Sequence, residues 1–137
     1  MKTIFAGFAL MIATLCSAQE KNTIEVEMYN FDNSDGMVMV GLYNNESTFL
    51  DESFKKIRTK VKDEKATVTF TDIPNGTYAI ALYHDENNNR ELDMFLGIPT
   101  EDYGVSNNAK PALSKPDWKD VKFEVRNGKT VTQRIKL

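Results

Sequence analysis

The chain of 137 residues has one cysteine, one histidine and no long hydrophobic or basic run. The cysteine, Cys16, lies in an N-terminal segment that we expect to be removed, so the remaining chain has no disulfide. One histidine without cysteine is too small a donor set for the usual zinc site. The net charge of −3, without a basic cluster, argues against nucleic acid as a partner.

The N-terminus has the order of an export signal: a lysine, an apolar stretch over residues 4–15, then the small-residue run Cys16-Ser17-Ala18. This order predicts a signal peptide, residues 1–18. The apolar stretch is too short to span a bilayer, so no membrane insertion is expected after signal removal. A lipid anchor on Cys16 is the minor alternative, because Leu15 precedes it where a small residue is usual. We expect an exported protein, periplasmic or extracellular.

Residues 19–137 have the patterning of one β-rich domain. Alternation of apolar and polar residues, the strand signal, recurs in at least six segments: 24–28, 38–42, 66–70, 78–82, 121–125 and 131–137. Asn or Asp with Gly marks turns between them. The pattern predicts an all-β fold, an antiparallel Greek-key β-sandwich of about seven strands.

Two segments depart from the alternation. Helical spacing of Leu50, Phe54 and Ile57 predicts one short helix within residues 47–57. Residues 85–118 have no strong strand pattern but many apolar side chains, so we expect a long ordered loop that folds back and packs on the sandwich. The apolar residues on which this expectation rests are Leu92, Phe95, Leu96, Ile98, Tyr103 and Val105.

The stretch HDENNNRELD, residues 84–93, places oxygen-bearing side chains at alternate positions. They are Asp85, Asn87, Asn89, Glu91 and Asp93. Such spacing suits a hard cation, Ca²⁺ being the natural one, and Glu101 would close the shell. The equally weighted alternative is a polar turn, in which these side chains accept backbone N–H groups without an ion.

A catalytic role is the minority alternative. His84 with Asp85 or Glu101 would supply the base of a small hydrolase-like enzyme, with Ser106 as nucleophile. The flanks of Ser106 lack the pattern of a nucleophile elbow. Tyr29, Tyr43 and Tyr83 raise a further possibility, an aromatic platform for a glycan or a peptide.

Residues 70–109, from FTDIPNGTYAIALYHDENNN to EDYGVSNNA, closely resemble the signature of a secreted bacterial family, domain of unknown function 2141. PDWKDVKFEV at 116–125 is similar to its closing strand. The sequence departs from the family pattern at Arg90, where members commonly have Gly, and in a shortened stretch around residues 110–115.

The resemblance implies an exported sandwich similar to transthyretin-like or carboxypeptidase-regulatory-like domains, with no established activity. The positions that match the family motif are His84, Asp85, Asn87, Asn89, Asp93, Glu101, Tyr103, Gly104 and Ser106. Together, the sequence predicts a non-enzymatic interaction or structural module whose partner is a protein or a glycan, with a calcium-like ion site at residues 85–93.

Overall fold

The computed structural model describes residues 20–110 and 115–137. The predicted signal peptide lies outside the described residues, as does most of the shortened stretch at 110–115. The strands are β1 (Lys21–Tyr29), β2 (Met37–Tyr43), β3 (Lys55–Lys60), β4 (Lys65–Pro74), β5 (Gly76–Asp85), β6 (Met94–Phe95), β7 (Ile98–Pro99), β8 (Tyr103–Val105), β9 (Phe123–Val125) and β10 (Thr130–Lys136). One short helix, α1 (Trp118–Val121), and two 3-10 turns, Glu46–Thr48 and Ser106–Asn108, complete the described elements.

The main strands form two sheets. The smaller sheet has the order β10-β1-β4, and the larger has the order β3-β2-β5-β8, with β9 also paired to the start of β5. Alternate side chains of both sheets face inward and form one apolar core. The prediction of an all-β sandwich is confirmed.

Strand β5 is covered on both faces. One face contributes Ile80 and Leu82 to the main core. The other face packs Ala79 against Val105 and Val121, beneath α1. This central position fixes the end of β5, from which residues 86–93 depart; we call these residues the polar loop.

Four details of the predicted fold are wrong. The segment 47–57 is not a helix: it holds the end of a 3-10 turn, a bend and the start of the edge strand β3. There are ten strands among the described residues instead of about seven, and β1 pairs with β10 in parallel within a sandwich predicted to be antiparallel. Val121 ends α1 and is not part of β9.

Among the described residues of the long segment after β5, the apolar side chains do not all pack as predicted. The segment contains the short hairpin β6–β7 and the strand β8, which pairs with Ala81–Tyr83 of β5. Val105 is buried, whereas Leu96 and Ile98 are exposed at the hairpin. The described residues contain no helix that is both long and apolar enough to cross a membrane.

Candidate functional site

Asp85 ends β5 and holds the first turn of the polar loop. Its side chain is fully buried. One carboxylate oxygen accepts the backbone N–H of Asn89 at 3.1 Å, and the other accepts that of Arg90 at 2.9 Å. The Arg58 guanidinium on β3 lies 3.4 Å from the second oxygen and compensates the buried charge.

Glu101 closes the loop from its other end. Its two carboxylate oxygens accept the backbone N–H groups of Glu86 at 2.9 Å and of Asp93 at 3.0 Å. Glu101 therefore joins the first and the last residues of the loop, and Asp85 joins its middle to β5. The loop is shaped by two carboxylates that bind backbone donors.

The amide residues are engaged within the loop. The side-chain oxygen of Asn87 accepts the N–H of Asn89 at 3.2 Å, and that of Asn89 accepts the N–H of Glu91 at 3.0 Å. The two side-chain amide groups donate to Asp93, at 2.6 and 2.5 Å. Four of the five predicted ion ligands thus make hydrogen bonds within the loop, and Glu91 contributes its backbone N–H. This arrangement favours the polar-turn alternative.

Calcium binding at residues 85–93 stays a prediction. Among the residues that the structure describes, no three His, Cys, Asp or Glu side chains form a group that could hold a metal ion. Chemically, an ion would have to displace N–H donors from Asp85 and the amide groups from Asp93. A shell built from these residues would also place a cation next to the Arg58 charge.

Thermal melts of residues 19–137 in about 2 mM calcium and in chelator test the ion hypothesis. Because protein donors already occupy the oxygens, we expect the two melts to coincide within about 1 °C. A site with a dissociation constant near 0.1 mM would instead add about 1.8 kcal/mol to the free energy of unfolding. That would raise the melting temperature by roughly 4 to 9 °C, and the rise would be lost in an Asp93→Asn variant.

His84 and Asp85, which a hydrolase could use as a pair, do not face each other. As neighbours on β5, His84 and Asp85 direct their side chains to opposite faces of the strand. The His84 ring is fully buried, its Nε2 lies 2.5 Å from the carbonyl oxygen of Asp35, and Phe31 meets it edge-on at 5.1 Å. Its Nδ1 lies 3.6 Å from a carboxylate oxygen of Glu86. The surroundings are those of a core histidine that anchors the β1–β2 connection.

A pair of acidic residues lies beside this histidine. Desolvation, followed by a hydrogen bond to Asp32 and the charge of that residue, raises the pKa of Asp102 above its ordinary value. The backbone carbonyl of Asp102 also accepts the backbone N–H of His84 at 2.8 Å. This end of the sandwich therefore concentrates negative charge.

The remaining motif positions have structural roles. The Ser106 hydroxyl is buried, accepts the N–H of Ile80 and donates to the carbonyl of Val121, so it joins β5 to α1. Gly104 on β8 admits the close approach of Ile135, since a Cβ there would lie 2.6 Å from the Ile135 Cγ2. Tyr103 pairs with Tyr83 on β5 and is 40% exposed. Ser106 is thus not placed with His84 as a nucleophile.

The predicted tyrosine platform is divided between the two sheets. Tyr29 lies on β1 in the smaller sheet, where Arg134 lies over its ring. Tyr43 and Tyr83 lie on β2 and β5 of the larger sheet, and Tyr43 packs edge-on against Phe49 at 5.3 Å. The three rings therefore do not share one surface.

The hairpin β6–β7 is a surface feature that the sequence analysis did not anticipate. Met94, Leu96 and Ile98 are 56%, 86% and 65% exposed, and we call these three residues the apolar tip. Leu96 and Gly97 form the two-residue turn, both with positive φ (51° and 78°). Such turns normally contain Asn, Asp or Gly, so a leucine at the first position is unusual. The signal available in the sequence was the dipeptide Leu-Gly between two short apolar pairs.

The polar loop supports this tip directly. The backbone N–H of Asp93, which precedes β6, is bound to Glu101, and the Asp93 carbonyl accepts the N–H and the hydroxyl of Thr100 after β7. The residue after the hairpin is therefore bonded to Asp93, the residue before it, and Asp93 is in turn bonded to Glu101. The motif residues Asp85, Asp93 and Glu101 thus position a hairpin whose apolar tip is exposed to solvent.

Comparison with known proteins identifies a family but no characterised relative. Residues 26–133 match the model of the family described as uncharacterized protein conserved in bacteria, domain of unknown function 2141. No curated protein and no solved structure matches the chain significantly.

Proposed function

We propose that this protein, which belongs to the uncharacterized bacterial family domain of unknown function 2141, is an exported, non-enzymatic module that binds a protein partner through its apolar tip. The observation that carries the proposal is Leu96, 86% exposed at positive φ at the end of the hairpin. A leucine at this position strains the backbone and exposes apolar surface. Packing within the fold offsets neither of these free-energy costs. Contact with a partner would offset both.

The hydrogen bonds that fix the hairpin support a role of the apolar tip in binding. A binding surface gains affinity when it is ordered before it meets its partner. Glu101 and Asp93 fix both ends of the hairpin through backbone hydrogen bonds. In this proposal the family motif shapes a contact surface and performs no chemistry.

A non-enzymatic role is supported by the positions of the chemically active groups. The His84 ring is buried against Asp35, and the Ser106 hydroxyl bonds two backbone groups. Glu101 accepts two backbone N–H groups. An enzyme would need these groups to converge on a cleft open to substrate. A protein partner is favoured over a glycan because the three exposed residues of the apolar tip, Met94, Leu96 and Ile98, are not aromatic.

Site-specific photo-crosslinking in the producing bacterium tests the proposal. A photoreactive residue at position 96 should form adducts with protein, while the same residue at position 119, which is exposed on α1, should not. The chain recovered in the adducts should begin at Gln19 if the signal is cleaved as predicted. Absence of any adduct from position 96, with the protein correctly folded, would contradict the proposal.

A further inference from the structure

A groove open to solvent lies between the two sheets, beside their edge strands. Lys55, Lys56 and Ile57 of β3 line one side, and Thr69, Phe70 and Thr71 of β4 line the other, around a volume of about 370 Å³. We call this the edge groove. The strands do not pair with each other: they are the outer members of different sheets. The Lys55 ammonium bridges them by donating to the Thr71 carbonyl at 3.4 Å.

The edge groove has a small apolar surface and a basic rim. Phe70 belongs to the buried core and Ile57 is a half-buried residue packed against it. Of the six residues of β3, four are basic: Lys55, Lys56, Arg58 and Lys60. The Arg58 charge is paired with Asp85, whereas the other three side chains are exposed. Of these, Lys55 and Lys56 line the groove, so it is suited to a negatively charged surface that makes a small apolar contact at Ile57.

The apolar tip has the complementary character. Between residues 86 and 103 the chain has five acidic residues, Glu86, Glu91, Asp93, Glu101 and Asp102, and one basic residue, Arg90. Leucine, methionine and isoleucine side chains thus project from an acidic end of the sandwich. This charge opposes an anionic membrane surface and favours a basic protein surface.

We infer that the apolar tip of one chain docks in the edge groove of a second copy. The inference rests on the proposed function, because it names the partner of the same tip. Within one chain the tip lies in the β5–β8 connection and the groove lies beside β3, at opposite edges of the sheet β3-β2-β5-β8. A chain therefore does not fill its own groove. The contact is head-to-tail, so each copy keeps one free tip and one free groove, and assembly continues into open chains or a ring.

The self-association is weak and depends on salt, because a small apolar contact is combined with charges near solvent. Sedimentation velocity of residues 19–137, which include the whole described fold, measures it from about 10 µM to about 1 mM protein. The weight-average mass should at least double over this range in about 20 mM salt. In about 500 mM salt the association should weaken roughly tenfold.

Two variants separate the tip from the groove. Leu96→Asn removes the apolar tip but suits the positive φ of the turn, so the melting temperature should be maintained or rise slightly. Lys55→Glu with Lys56→Glu reverses the rim charge at two exposed positions. Each variant alone should remain monomeric, whereas Lys119→Glu, which reverses an exposed charge on α1, should associate like the unmodified chain.

Mixing the two variants is the decisive measurement. The Leu96→Asn chain keeps an intact groove, and the double-glutamate chain keeps an intact tip, so an equimolar mixture should form a heterodimer and nothing larger. An unmodified chain that remains monomeric at about 1 mM overturns the inference. So does a mixture that stays monomeric. If position 96 then forms adducts with other proteins in cells, the proposed function survives; if it forms none, both fail.

Discussion

Replacement of Asp85 with asparagine is expected to lower the free energy of unfolding by about 3 kcal/mol, the largest loss expected from one side chain in the loop. The Asp85 carboxylate is fully buried and accepts the N–H groups of Asn89 and Arg90. Asparagine keeps one acceptor oxygen and places an amide donor against the other N–H. It also leaves the Arg58 guanidinium, 3.4 Å away, without its counter-charge.

The melting temperature of the Asp85→Asn variant should fall by roughly 10 °C. Asp72→Asn is the matched control, since Asp72 is exposed, lies 3.9 Å from Lys21 in a surface ion pair and has a positive φ that asparagine tolerates. It should change stability by no more than about 0.5 kcal/mol. Amide hydrogen exchange at Asn89 and Arg90 should accelerate in the Asp85 variant alone. Equal melts for the two variants would mean that Asp85 does not hold the loop.

The sequence predicted the central strands because their alternation is regular and their core is continuous. Ile24, Val26 and Met28 of β1 are all buried, as are Val38, Val40 and Leu42 of β2. The sandwich follows from these local patterns. The parallel pairing of β1 with β10 joins the two ends of the domain, and no local pattern encodes such a contact.

The helix predicted within residues 47–57 failed because its apolar spacing has another cause. Phe54 packs against Tyr78 at the end of a bend, and Ile57 faces the core from an extended strand. The two contacts are independent and do not form one helical face. The lysine-rich sequence of β3 is typical of an exposed edge strand, which has little alternation to detect.

The residues of the predicted ion site lie in one loop, and ion binding there stays a prediction. Asp85, Asn87, Asn89 and Asp93 do meet in one loop, and Glu101 reaches it from later in the chain. Oxygen spacing alone cannot distinguish an ion shell from a set of side-chain acceptors for backbone N–H groups, because both require alternate placement. The exposed tip was missed because apolar residues in a long segment usually pack inward, and Leu96 does not.

Gly36, which precedes the neighbouring strand β2, also constrains the end of β5 where the polar loop begins. It has a φ of +61° immediately before β2, whose first residue, Met37, pairs with Asp85. A Cβ at this position would overlap the carbonyl oxygen of Asp85 and lie 2.8 Å from the Cα of Glu86. These are backbone atoms of the last residue of a central strand and of the residue after it, so they cannot rotate away as a side chain would.

Gly36→Ala is therefore expected to lower the free energy of unfolding by about 3 kcal/mol, through positive-φ strain and displacement of β2 from β5. Gly97→Ala is a matched control, because Gly97 has a φ of +78° but no atom lies within 4 Å of its added Cβ. Strain alone should cost that variant about 1 kcal/mol. Thermal melts should accordingly fall by roughly 10 °C and roughly 4 °C. If the two variants melted at the same temperature, the approach of Gly36 to Asp85 would contribute nothing, and the strand end would be less rigid than support of the tip requires.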